Sequence, residues 1–468
     1  MKAKLLIDSF STLDLVVFFI ILIATFISVL YGNKLKKNRG ELSEKESLIE
    51  LLLMGRRLTL PLFIGTLVAT WYGGIFGVTQ IAFEKGLYNF VTQGLFWYIA
   101  YLIFAFFIVD KVSSFKALTL PDLISRLFGP KAGKLSGVFN FFNVLPIAYV
   151  ISLGLFLQVL FGGELLPMMV LGVFIVLLYS LWGGMRAVVF SDFIQFFVMC
   201  SGVFFILVFS IFKFGGISFL QEKLPESYFT VTGGETWATT LVWGFIALST
   251  LVDPNFYQRC FAAESKKVAK KGILISTLIW FCFDICTTLG AMYARAVMPE
   301  ADSGQAYVLY AMSILPDGLK GFVLAGILAT ILSTLDSYLF LAGTTVSFDL
   351  LPERFRHKKW AHYFGVVGVS ILAIVLAYFF KGNIKAVWKT LGSYSAACLL
   401  LPVLYAYIFP GKIKDGQFVF GCLLGVLMVT YWRNWPPEGF HIDEFYMGIL
   451  ATSLGLIVYP LIRRDKAH

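Results

Sequence analysis

"ATILSTLDSYLFLAGTT", residues 329–345, reads as the middle of a long apolar helix, yet it carries Ser333, Thr334, Asp336 and Ser337 at its centre. A carboxylate inside a membrane-spanning segment costs about 3 kcal/mol or more, so it marks a functional site by default. At about 100° per residue, Ser337, Thr330 and Thr334 fall about 40°, 60° and 100° from Ser333, and Asp336 falls about 60° to the other side. One face therefore bears five oxygen-carrying side chains over two turns. A Ser/Thr stripe alone serves as glue between helices; the carboxylate beside it points to cation binding. Hydroxyls, carbonyls and a carboxylate suit a hard ion such as sodium better than His or Cys does.

The surrounding chain explains why these groups are buried. Of 468 residues, 58% are apolar, 17% aromatic and only 14% charged, which is a membrane composition rather than a soluble one. Apolar runs long enough to cross about 30 Å of hydrocarbon recur along the sequence. The reading expects about thirteen transmembrane helices, near 13–31, 59–83, 90–110, 134–160, 165–182, 187–212, 238–260, 272–298, 319–346, 361–380, 389–409, 416–432 and 443–462. No connection is long enough for a soluble domain, so residues 1–468 form a single all-α transmembrane domain. Lys2 and Lys4 precede the first run as in a signal peptide, but "SVLYGNKLKK" lacks a small-x-small cleavage pattern, and the run is read as a retained helix.

Lys and Arg set the orientation. If the C-terminus is cytoplasmic, the loops on that side hold 27 of the 38 basic residues. The positive-inside rule then puts the N-terminus outside and the C-terminus in the cytoplasm of a cell (inner) membrane. Topology also accounts for the net charge of +10, so no nucleic-acid partner is implied. His357, His362, His441 and His468 have no metal-ligand spacing, and the six cysteines sit in or at the ends of apolar helices as packing residues. There is no Walker loop and no GxSxG elbow. Membrane catalysis therefore has little support, and neither an organic cofactor nor a transition metal is expected.

Three further aspartates, Asp192, Asp253 and Asp284, lie within or at the edges of apolar runs, where an interhelical hydrogen bond is the plain alternative to function. The second run, "GTLVATWYGGIFG" at 65–77, has four glycines that ease departure from the helix. A broken helix would expose carbonyls to a cation at mid-membrane, although glycines in such helices also serve close packing. The seventh run is interrupted in "LSTLVDPNFYQRC", 248–260, where Pro254 lacks a backbone donor. Five positions separate the two breaks, the interval expected of inverted repeats.

Several blocks, in order, resemble the sodium:solute symporter family, whose members carry proline, pantothenate, sugars and sialic acid. They are "LMGRRLTLPLFIGTLVATWYGG", "ALTLPDLISRLFGPKAG", "SLWGGMRAVVFSDFIQFFVM" (180–199), "DPNFYQRCFAAESKKVAKKG" and the opening stretch. The resemblance implies a leucine-transporter-type 5+5 inverted-repeat core. One extra helix (13–31) precedes repeats at 59–212 and 238–409, and two C-terminal helices (416–462) follow.

It also implies a sodium site from the carbonyls of Ala69, Tyr72 and Thr330 and the hydroxyls of Ser333 and Thr334. A possible second cation site involves Asp192, Ser333, Asp336 and Ser337, where a proton could replace the ion. Solute candidates are Gly73, Gly74, Gln93, Trp97, Asn140, Asn143, Trp243, Ser249 and Ser393, none of them charged. Asp253, Gln258 and Arg259 are expected at an inner gate. The function implied is sodium-coupled symport of a small organic solute by alternating access; a proton-coupled carrier or a membrane-embedded solute sensor are the alternatives. The final "LIRRDKAH" carries no signalling domain, which favours a carrier.

Overall fold

Backbone polar groups find no water in hydrocarbon, and helices satisfy them internally. The computed structural model describes residues 6–37, 43–180, 184–355, 359–437 and 442–464. Among them the named elements are all helical, and one isolated bridge joins Leu58 to Ala263. In chain order the helices are α1 (Thr12–Lys37), α2 (Glu44–Leu53), α3 (Leu60–Ala69), α4 (Ile75–Lys85), α5 (Phe90–Phe115), α6 (Leu120–Phe128) and α7 (Pro130–Asn143). There follow α8 (Ile147–Phe161), α9 (Leu165–Ser180), α10 (Gly184–Phe214), α11 (Ile217–Lys223), α12 (Trp237–Ala247), α13 (Pro254–Ala262) and α14 (Lys266–Val297). The last are α15 (Ala306–Ile314), α16 (Leu319–Leu350), α17 (Lys359–Phe379), α18 (Ile384–Ile408), α19 (Asp415–Asn434) and α20 (Glu444–Arg464).

Ten helices among the described residues are long and apolar enough to cross a membrane. The apolar runs led to an expectation of thirteen, and the three others have physical reasons for falling short. Run 59–83 divides into α3 and α4 around Thr70–Gly74, and run 238–260 divides into α12, a 3-10 turn at Leu248–Val252, and α13. Run 165–182 forms α9, whose sixteen residues at about 1.5 Å each fall short of about 30 Å of hydrocarbon. A further interruption separates α7 from α8 at Val144–Pro146, where Pro146 supplies no donor.

Packing places α16 at the centre. It lies against α10, α1, α8 and α17, while α10 also packs on α3 and α14 packs on α3 and α4. The α10–α16 approach depends on small residues: a Cβ on Gly326 would stand 3.0 Å from the Val198 carbonyl oxygen. At the start of α16, Asp14 of α1 accepts backbone N–H bonds from Gly318 (2.6 Å) and Gly321 (3.1 Å), supplying the cap that the helix lacks in its own sequence.

Candidate functional site

The break between α3 and α4 faces α16. Thr70 closes α3 through its N–H to the Thr66 carbonyl, and α4 begins at Gly74 without a side-chain cap. The Ala69 carbonyl is thereby left to another helix. Ser333 donates to it at 2.8 Å and Thr334 at 3.3 Å, and both hydroxyls also lie 3.2 Å from the Thr330 carbonyl. All four residues are buried to within a few per cent. Two carbonyls and two hydroxyls thus converge on one small volume, a donor set that fits a hard monovalent cation. Gly73 makes the approach possible, since a Cβ there would sit 2.4 Å from Thr334 Cβ. The Thr330 hydroxyl turns away, back-bonding to Gly326 at 2.7 Å. Tyr72 lies in the same unwound stretch, its hydroxyl donating to Asp284 Oδ1 at 2.5 Å.

A charged cluster adjoins this cradle. Asp192 of α10 accepts from Thr66 Oγ1 at 2.5 Å, and its Oδ2 lies 3.8 Å from Arg259 Nη2. That nitrogen also donates to Thr66 Oγ1 (3.0 Å), Thr70 Oγ1 (2.5 Å) and Ser337 Oγ (3.1 Å), while Nη1 reaches Asn255 Oδ1 at 3.0 Å. Arg259 and Asp192 are both essentially inaccessible, at 1% and 0% exposure. A buried cation is tolerated because oxygens and a carboxylate surround it. Asp336 is buried on the same stretch of α16. Thr66 and Thr70 were not singled out in the sequence; their spacing of four, just ahead of the glycines, is the signal that would have found them.

The other residues expected at the gate are distributed differently. Gln258 donates to the Leu52 carbonyl, Arg56 to the carbonyls of Phe261, Lys116 and Ala117, and the Leu58 N–H to Ala262 O at 3.0 Å. Nearby, Arg186 pairs with Glu50 at 2.7 Å, both buried. These contacts tie the α2–α3 connection to α13. Asp253 instead caps α13, its Oδ1 accepting the N–H groups of Asn255 (2.8 Å) and Phe256 (3.2 Å).

A cavity of about 120 Å³ opens beside the two breaks. Of the expected solute residues, Gln93, Trp97, Asn143, Trp243 and Ser249 line it, joined by Trp71, Tyr72, Tyr149, Tyr338, Trp388 and Asp253. Asn140 points elsewhere, donating to Thr345 Oγ1 at 2.7 Å, and Ser393 is fully buried outside the lining. Gly73 and Gly74 pack against Thr334 and Trp388 respectively. Trp243 also borders a wider vestibule of about 1010 Å³, whose rim carries the ion pairs Lys385–Glu84 (2.6 Å), Lys389–Asp443 (2.8 Å) and Lys85–Glu235. Asp284, behind Tyr72, takes hydrogen bonds from both Tyr72 and Tyr98.

Comparison with known proteins follows the same lines. Residues 51–425 match the model of the sodium:solute symporter family. A sodium/pantothenate symporter of Haemophilus influenzae is 26% identical over 71% of this chain and 74% of its own length. The high-affinity proline transporter PutP of Bacillus subtilis is 23% identical over 75% and 78%. Among solved structures, a substrate-bound, outward-open Na+-coupled sialic acid symporter superposes with a TM-score of 0.75 at 17% identity, covering 96% of this chain and 98% of that one. The structural neighbours share the leucine-transporter fold.

Proposed function

The chain belongs to the sodium:solute symporter family, and on that premise we propose that it is a secondary active transporter that carries a small organic solute with sodium by alternating access. It is a multi-pass membrane protein whose family and structural neighbours are transporters. In this reading all of 1–468 is one transport domain of thirteen crossings, two inverted five-helix repeats at 59–212 and 238–409, with the C-terminus in the cytoplasm. One observation carries the reading: Ser333 and Thr334 both approach the Ala69 carbonyl at the end of the broken helix. Sodium at Ala69, Tyr72, Thr330, Ser333 and Thr334 would replace hydroxyl-to-carbonyl bonds with ion–oxygen contacts. The break and α16 would then be held at a fixed spacing only while the ion is bound.

The solute would occupy the cavity beside the breaks, and Gln258, with the Arg56 and Leu58 contacts, would form the inner seal. Such a seal must open and close during transport, so mutations in it change turnover more than equilibrium binding. The test is uptake in proteoliposomes with and without an inward sodium gradient. Accumulation should require sodium, and Ser333→Ala with Thr334→Ala should weaken sodium dependence by about 100-fold or more, since two of about five oxygen ligands are lost. Sodium dependence unchanged in the double variant would reject the assignment; binding without accumulation would favour a sensor.

A further inference from the structure

The walls of the central cavity are aromatic to an unusual degree. Trp71, Trp97, Trp243 and Trp388 line it with Tyr72, Tyr149 and Tyr338. Trp71 meets Trp97 edge to face at 5.1 Å between ring centroids, and Tyr149 meets Tyr338 in the same way at 4.7 Å. Rings held edge to face by one another have little freedom to rotate out of the wall. The remaining lining is apolar, apart from Gln93, Asn143, Ser249 and one ionisable group, Asp253.

Asp253 is held in place by the helix it caps. Its Oδ1 takes the N–H groups of Asn255 and Phe256, while neither a hydrogen bond nor an ion pair engages its second oxygen among the described residues. Among the described residues no Lys, Arg or His lines the cavity. The neighbouring cations are committed elsewhere: Arg259 to Asp192, Thr66, Thr70 and Ser337, and Lys385 and Lys389 to Glu84 and Asp443 on the vestibule rim. An anionic solute would therefore meet a carboxylate whose one neighbouring guanidinium, Arg259, is already shared with Asp192. A neutral polyol can donate hydroxyls to that carboxylate and lay its C–H faces on the rings, but it brings no compensating charge. A cation would find both of its preferred partners, a carboxylate and the negative faces of indole and phenol rings.

We propose that this cavity selects a small organic ammonium ion, held between its tryptophan and tyrosine faces with Asp253 as counter-ion. The proposal rests on reading the cavity as the solute site of a sodium-coupled carrier, and it adds the chemical class. Size agrees with it. At 10–15 Å³ for each water-sized position, the cavity has room for about eight to twelve, enough to enclose a compact trimethylammonium.

Choline, its neutral isostere 3,3-dimethylbutan-1-ol and the anion 3,3-dimethylbutyrate differ in charge at nearly constant shape. Four of the ten tryptophans line the cavity, so tryptophan fluorescence of the full-length protein in detergent with sodium reads binding directly. Choline should quench saturably, with a Kd at least about ten-fold below either isostere. Asp253→Asn keeps an oxygen that can cap α13, so the variant should fold yet lose most of the preference for choline over the alcohol. Equal affinity for the isosteres, no saturable response to choline, or an unchanged preference in Asp253→Asn would each overturn the proposal. The sodium reading fails separately: its signature is a sodium-induced fluorescence change that disappears in Ser333→Ala/Thr334→Ala. That signature, present without any choline preference, removes the ammonium inference and leaves the carrier intact.

Discussion

The two breaks solve the same problem in opposite ways. At Thr70–Gly74 the chain leaves the helix, the next helix starts without a side-chain cap, and the freed Ala69 carbonyl is met by Ser333 and Thr334 from α16. At Leu248–Asp253 the chain tightens into a 3-10 turn, and the next helix is capped by its own Asp253 with Pro254 in the first turn. The first break is completed by a neighbour; the second is completed by itself. An opening that depends on a neighbouring helix responds to whatever lies between them, which suits an ion site. A self-capped break stays rigid and can present a wall to a solute.

Arg259 joins the two. It lies on α13, directly after the second break, and its guanidinium reaches Thr66 and Thr70 at the first. Removing it is expected to have the largest effect, because Asp192 would be left buried and unpaired. Arg259→Ala should lower stability by about 3–5 kcal/mol, read as a fall in melting temperature in detergent. Adding Asp192→Asn should restore most of the loss; a double variant as unstable as the single one would show that the pair is not what links the breaks.

Gly73→Val tests the contact-dependent break itself. Its Cβ would stand 2.4 Å from Thr334 Cβ and 2.7 Å from Tyr149 Cδ1, so the break must move off α16. Overpacking of this kind costs about 1–3 kcal/mol, and sodium affinity should fall by about 10- to 100-fold. Sodium affinity within two-fold of the parent would mean that the break does not need α16 at this spacing.

The self-capped break should be less sensitive. Asp253→Ala removes the cap from two N–H groups and should cost about 1 kcal/mol, whereas Asp253→Asn should cost less than half of that. Thermal melts of the two variants decide it; equal losses would mean that charge rather than capping stabilises α13. The smallest effect is expected at the vestibule rim, where Lys389 is well exposed. Lys389→Ala should change stability by about 1 kcal/mol or less, and high salt should shrink even that difference.

These contrasts mark how far the sequence could be read. The hydroxyl face of α16 was legible because 3.6-residue periodicity places Thr330, Ser333, Thr334 and Ser337 by arithmetic alone. The glycines of 65–77 and Pro254 announced the breaks through their backbone properties. Arg259 was legible only as a gate candidate near a loop, since its partners Thr66, Asp192 and Ser337 lie on three other helices. Asp253 looked like a gate residue, and its place at the cavity wall depends on how α12 and α13 turn around the 3-10 segment.

The sequence by itself therefore determined the membrane class, the helical content, the positions of the breaks and the family, because hydropathy, glycine and proline act locally through the backbone. Only the tertiary structure decided which carbonyl meets which hydroxyl, that Asn140 and Ser393 stand apart from the cavity, and that one carboxylate faces a ring of indoles. Those outcomes depend on how distant helices pack, and side-chain contacts across helices are set by interhelical distance and rotation, which no local pattern encodes.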